Sequence, residues 1–363
     1  MDQSSAGISV AGSLSVLFLY EVAEEIRLDQ LRRLVGAPPP GREPALRHAP
    51  EYVQFERPPV MEPIKAAFGE GRVAYYDYGV VSLLVEIPFE GGWDEGIQLA
   101  ARWMNAPDLE QRANDALRPL LERAAPALSK PYQERLTEDY FIFHLRQIRD
   151  CDNRVVSATE LLEKHGEAIA QMVRGERAVF SAAERAEILS AQMSYYESDL
   201  LVTGWSASLI YDTPEGAAPT IQLLEYANTQ LLEFRHYDAL LTNLLMNAYR
   251  SIERGTSFRA RWRLAHEAER LNTIRLDVRE LTERVDNSIK FLSDMFAARL
   301  YRMAAARIGV PDYRGLVEQK LESAGDLYGF MMDQYHQGRA FLLELVVVII
   351  LVIELVFLFR GRP

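Results

Sequence analysis

The sequence predicts an α+β fold: a small N-terminal α/β unit, then a long helical or coiled-coil region, then a single C-terminal transmembrane helix. Three observations predict it. Runs rich in Val, Leu, Phe and Tyr precede Trp93. From Trp93 onward apolar residues recur three and four apart, the spacing of one helix face. Residues 341–359, "FLLELVVVIILVIELVFLF", are almost unbroken hydrocarbon. The expected boundaries are 1–92 for an α+β head, 93–210 for a helical region, 211–310 for a heptad helical hairpin, 311–340 for a stalk helix and 341–359 for the transmembrane helix.

In the head, "SLSVLFLYEVAEEI" is too short to cross a bilayer and reads as a strand buried on both faces. "RLDQLRRLV" follows as a short amphipathic helix, with Leu28, Leu31 and Leu34 on one face and Gly36 as its stop. "GAPPPGREPALRHAP" is a Pro-rich loop. "EYVQFERPPV" reads as a strand in which Val53 and Phe55 alternate with polar neighbours. "RVAYYDYGVVSLLVEIPF" is the densest strand signal in the chain, with Gly79 marking a bend or bulge.

The helical region contains "APDLEQRANDALRPLLERAAPALSK", "DYFIFHLRQI" and "ATELLEKHGEAIAQMV". A further helix is expected through "SAAERAEILSAQMSYYESDLLVTGWSASLIY". Ser181 and Glu184 form a capping box at its start, and Asp212-Thr213-Pro214-Glu215 breaks it. Heptads then take over. Leu224, Ala227, Leu231, Phe234, Asp238, Leu241, Leu245 and Ala248 form one seam. Leu264, Leu271, Val278, Val285 and Leu292 recur every seven residues, with Ile274, Leu281 and Met295 at the matching d positions. "ERGTS" around Gly255 is the expected reversal. Asp238 on the seam is a register-fixing polar residue or a point of local opening. After Pro311, heptad spacing continues through Val317, Leu321, Ala324, Tyr328, Met331 and Tyr335, and no breaker precedes Phe341.

The 341–359 stretch rises roughly 28 Å at about 1.5 Å per residue, close to the ~30 Å hydrocarbon core. Arg339, Arg360 and Arg362 flank it. Glu344 lies near one end and reaches the interface. Glu354 lies deeper, where a carboxylate costs about 3 kcal/mol. Both are therefore candidate intramembrane contacts. The N-terminus has neither a basic n-region nor an Arg-rich, acid-poor presequence. The expected placement is single-pass, with a C-terminal anchor in the bilayer and the soluble part cytoplasmic.

Charge and chemistry narrow the function. The formal net charge of −12 argues against a general nucleic-acid binder and against a DNA partner. The single cysteine, Cys151, cannot form an internal disulfide and is read as a structural side chain. The six histidines show no metal-ligand spacing, and neither a phosphate-loop pattern nor G-x-S-x-G occurs. No cofactor, metal or catalytic residue is expected. One basic cluster stands out: Arg254, Arg259, Arg261 and Arg263 surround Trp262 in "ERGTSFRARWR". It is a candidate patch for RNA or anionic lipid. The alternative is that these arginines pair with Glu253, Glu267 and Glu269.

Four places carry a resemblance to a known family. They are "YYDYGVV", "LIYDTPE", "LNTIRLD" and "LLELVVVIILVIE". Together they resemble the required-for-meiotic-nuclear-division family, from about residue 50 to the end. Gly216-Ala217-Ala218 after the Asp212–Glu215 turn, and Leu83-Leu84 after the valine pair, depart from the family's aromatics. The resemblance implies a membrane-anchored, non-enzymatic, homo-oligomeric protein that supports translation at the membrane by tethering ribosomes. The expected function is a scaffold that self-associates through its helical region and recruits an unidentified protein or ribonucleoprotein partner. The alternative is a subunit of an oligomeric ion channel or transporter with one span per chain.

Overall fold

The first strand, β1 (Val10–Glu21), is apolar without alternation because both of its faces are covered. It lies at the centre of an eight-stranded sheet in the computed structural model. The structure describes residues 10–37, 57–149, 154–253, 269–280, 282–283 and 295–361, and among these the side chains other than 251–253, 331–343 and 345. The other strands are β2 (Ala23–Ile26), β3 (Val60–Ala66), β4 (Gly69–Tyr75), β5 (Val80–Gly91), β6 (Leu128–Pro131), β7 (Thr137–Leu145), β8 (Gln192–Met193), β9 (Leu200–Thr203) and β10 (Ala207–Tyr211). The sheet order is β3-β4-β5-β1-β7-β10-β9-β8, and β2 pairs with β6 separately. All neighbours are antiparallel except β7 and β10, which run parallel.

This sheet corrects the expected fold class. The head is not a small unit ending at residue 92, because β7, β9 and β10 come from the region expected to be helical. "DYFIFHLRQI" forms most of β7. The helix that begins at the Ser181 cap, α5 (Ala182–Ser190), ends well before Asp212. The cap itself is present: Ser181 Oγ accepts from the Glu184 N–H at 3.2 Å. The expected bend at Gly79 is also present. Its φ is +97°, and a Cβ there would meet the Ala23 carbonyl oxygen at 1.9 Å, so only glycine fits the β4–β5 turn.

Register sorts the side chains to two faces. Val16 lies opposite Val85 on β5 and Phe141 on β7. That face carries Leu14, Val16, Phe18, Leu83, Phe141, Phe143 and Leu209. It packs against α1 (Leu28–Val35), α2 (Trp93–Met104), α3 (Leu109–Ala124), α4 (Ala158–Arg174) and α5 in one apolar core. The opposite face carries Leu17, Leu19, Glu21, Ser82, Tyr140 and Ser208, and the first part of α6 (Pro214–Glu253) reaches across to it.

After α6, residues 269–280 are helical, and α7 (Met295–Ile308) and α8 (Val310–Arg360) lie beyond them. The chain divides into two compact units: residues 1–236 with 282–313, and residues 237–281 with 314–363. In the second unit, Leu241, Leu244 and Ala248 are buried on α6, and Leu271, Ile274 and Val278 are buried in the helical residues 269–280. Asp238 has a partner there, because Lys320 Nζ lies 2.6 Å from its carboxylate and 2.6 Å from Thr242 Oγ1.

The membrane expectation is also corrected. Among the described residues no helix is long and apolar enough to cross a membrane. Toward the end of α8 exposed apolar side chains run over 346–359, interrupted by Glu354. The single C-terminal transmembrane helix, the single-pass anchor and the membrane placement built on it are withdrawn.

Candidate functional site

The sheet face that meets α6 is unusually polar for a buried surface. Residues 223–234 of α6 are buried without interruption, so this stretch is a core helix with protein on every side. Its polar side chains need partners. Arg72 on β4 makes a two-pronged ion pair with Glu225, a geometry suited to a guanidinium and a carboxylate. Ser82 on β5 donates to the same carboxylate. Tyr78 OH lies 2.9 Å from Thr229 Oγ1. Arg235 pairs with Glu138 on β7. These contacts fix the rotation and height of α6 on the sheet, and so the position of its N-terminus.

Glu21 and Glu233 meet in the same layer, both buried. Burial pushes the Glu21 carboxyl well above the usual range, and repulsion from Glu233 and a hydrogen bond to it push the same way. A hydrogen bond between two carboxyl groups requires that one of them carry a proton. The stability supplied by that proton is complete below the ordinary Glu range and is lost as pH rises through the raised folded value. Glu21→Gln fixes a donor in place. Its melting temperature, followed against pH, is expected to fall less than the wild type's on the alkaline side. Parallel curves would contradict a shared proton. Nearby, burial pushes His236 down to about 4, so it is neutral where its ring lies tilted 38° to that of Tyr132 at 4.8 Å.

At the N-terminal end of α6 the structure opens into a cavity of about 440 Å³. It lies beyond the C-terminal end of β10, where α/β sheets commonly bind ligands. Thr213 caps α6: its Oγ1 accepts from the Gly216 N–H at 3.1 Å. Asp212 Oδ1 accepts from the Thr213 N–H at 2.6 Å. The Asp212 carboxylate lies over Gly216, where a Cβ would meet Oδ2 at 2.2 Å. Any larger residue at 216 would displace the carboxylate.

The opposite wall is the 194–199 loop. Asp199 shapes it by accepting from the N–H groups of both Tyr195 (2.7 Å) and Tyr196 (2.8 Å). This turn sends the two rings outward. Tyr195 packs edge-on against Tyr196 at 4.6 Å and against Phe296 of α7 at 4.8 Å. At the cavity floor, Tyr211 OH accepts from the Ile148 N–H and donates to the Val156 carbonyl at 2.9 Å. Burial raises the Asp212 carboxyl above its ordinary value, the Thr213 N–H lowers it, and repulsion from Asp199 adds to the rise.

The site residues expected from the sequence lie elsewhere. Glu344 and Glu354 are exposed on α8. Arg254, Arg259, Arg261, Trp262 and Arg263 lie outside the described residues, as do Gly255 and Cys151. The sequence reading used Asp212–Glu215 only as a helix break and a point of resemblance. It missed Tyr195, Tyr196, Asp199 and Phe296. The signal that could have found the loop is "SYYESD" followed by "LLVTGWSASLIY", a turn composition and then two short β-rich runs around Gly204.

The family described as "Uncharacterized protein MJ0711, N-terminal domain" matches residues 11–218, a span that holds the sheet, the 194–199 loop and the Asp212–Gly216 turn. A relative, "Uncharacterized protein MJ0711" of Methanocaldococcus jannaschii, is 20% identical over 237 residues, covering 65% of this chain and 70% of its own. No solved structure matches the chain. Neither match links the chain to the required-for-meiotic-nuclear-division family.

Proposed function

From the premise that the chain belongs to the MJ0711 N-terminal domain family, we propose that it is a non-enzymatic binding protein, a scaffold that recruits a partner through the cavity at the start of α6. One observation carries this reading. The polar groups around the cavity are committed to holding its walls: Asp199 to the loop N–H groups, Thr213 and Asp212 to the α6 cap, and Tyr211 to the Ile148 and Val156 backbone. Such groups shape a fixed recess with aromatic edges, which suits recognition. Self-association belongs to the same reading. The 346–359 run of α8 exposes large apolar side chains along its length, more than an isolated monomer leaves open, and a second copy is the simplest cover.

The test is site-specific cross-linking. A photoreactive benzoylphenylalanine at Ser198, in the cavity loop, is expected to form an adduct in native cells. Thr220→Trp fills the cavity from α6 and is expected to abolish that adduct.

A further inference from the structure

We propose that the cavity recognises an organic cation, a substituted ammonium or guanidinium group. The inference rests on the binding reading above and names the chemistry of what is bound.

The charge of the walls is the first support. Among the described residues lining the cavity, the charged side chains are Asp199 and Asp212. They repel one another, and that repulsion adds to the rise of the Asp212 carboxyl. A cation between them would relieve it.

A helix N-terminus ordinarily favours an anion, and α6 begins here. Its end is already answered from within the chain. The Thr213 N–H is taken by Asp212, the Gly216 N–H by Thr213 Oγ1, and Glu215 adds a negative charge in the first turn. An anion entering the cavity would meet two carboxylates and spent donors.

The aromatic edges are the second support. Tyr195 and Tyr196 are 57% and 67% exposed, although they are large rings held in a fixed turn. With Phe296 they form a three-ring cluster at the cavity wall. Ring faces attract cations, most strongly where water is partly excluded. Arg299 already places its guanidinium 5.9 Å from the Phe296 centroid, so this cluster holds a cation on one side within the chain itself.

The third support is size. About 440 Å³ is room for a small organic cation or for the end of one long basic side chain. The group could therefore be free or carried on a peptide, and the chemistry at the wall is the same.

The test uses the full chain and calorimetric titration. Choline is compared with 3,3-dimethylbutan-1-ol, which keeps the shape and removes the charge. A third arm is a capped pentapeptide centred on trimethyllysine. Choline is expected to bind at least tenfold more tightly than the neutral isostere. Tighter binding of the peptide than of choline assigns the cation to a protein partner, and the reverse assigns it to a small molecule. Tyr195→Ala, and Asp212→Asn, which keeps an oxygen to accept from the Thr213 N–H, are each expected to weaken the cation at least threefold more than they weaken the isostere. Equal binding of choline and its isostere overturns the cation assignment. So does an absence of cation binding while the Ser198 adduct persists, which leaves the binding reading standing. Loss of both the titration signal and the adduct removes the two together.

Discussion

Arg72→Met is expected to lower the stability of the chain by about 3–5 kcal/mol, the cost of leaving a buried charge without its partner. Glu225 is almost fully buried, with 1% of its side chain exposed, while Arg72 keeps 29%. Removing the guanidinium therefore strands the carboxylate, not the arginine. Ser82 still donates to it and the Tyr76 hydroxyl bonds it as well, but neutral hydroxyls do not replace a guanidinium. Replacing both partners, as Arg72→Met with Glu225→Leu, is expected to recover most of the loss, because an apolar pair carries no desolvation cost. Urea denaturation of the two single variants and the double variant reads the coupling directly. A loss below about 1 kcal/mol for Arg72→Met would be that of a surface pair, and α6 would then not be seated as described. The consequence reaches the site, since α6 carries Thr213, Gly216 and Thr220 to the cavity wall.

The second large effect is expected at the sheet centre. Phe143→Ala should cost about 3–5 kcal/mol, the usual range for deleting a buried ring. Phe143 is fully buried on β7. It lies opposite Leu14 of β1 and beside Leu209 of β10, at the parallel joint that links the two parts of the sheet. His144, next in sequence, points to the other face, with Nε2 3.1 Å from the Asp212 carbonyl. Phe143→Leu keeps most of the volume and should cost less than half as much as the alanine variant. Equal costs would mean that the ring is not packed between those neighbours.

Phe143 also shows where sequence reasoning fails. "DYFIFHLRQI" was open to a helical reading because Tyr140, Phe141, Ile142, Phe143 and Leu145 are all buried. A strand covered on both faces loses its alternation, and periodicity then cannot separate it from a core helix. The same continuity made β1 legible, because its Val and Leu content and its length excluded the alternatives. The β4–β5 hairpin was legible for a different reason. Gly79 sits where the backbone demands positive φ, and two strand-like runs flank it.

The α6 seam misled in the opposite sense. Leu224, Ala227, Leu231 and Phe234 have heptad spacing, yet they are buried in a segment enclosed on all sides. The intervening Glu225, Asn228, Thr229, Gln230 and Glu233 look like a solvated face in the sequence. They are buried because β4 and β5 supply Arg72, Ser82 and Tyr78 from far away in the chain. No local pattern encodes that complementarity. The cavity was hidden for a related reason. Its walls come from the 194–199 loop, the Asp212–Gly216 turn and α7, and only the turn carries punctuation strong enough to single out.

We propose that this cavity is where the protein meets its partner, and the Ser198 cross-link is the decisive test. Yields are compared in native cells for the photoreactive residue at Ser198 and at the exposed Lys65, each with and without Thr220→Trp. The expected result is a discrete adduct from Ser198 that the tryptophan removes, with no change at Lys65. An adduct from Ser198 that survives a filled cavity, or one that forms equally from Lys65, would contradict it.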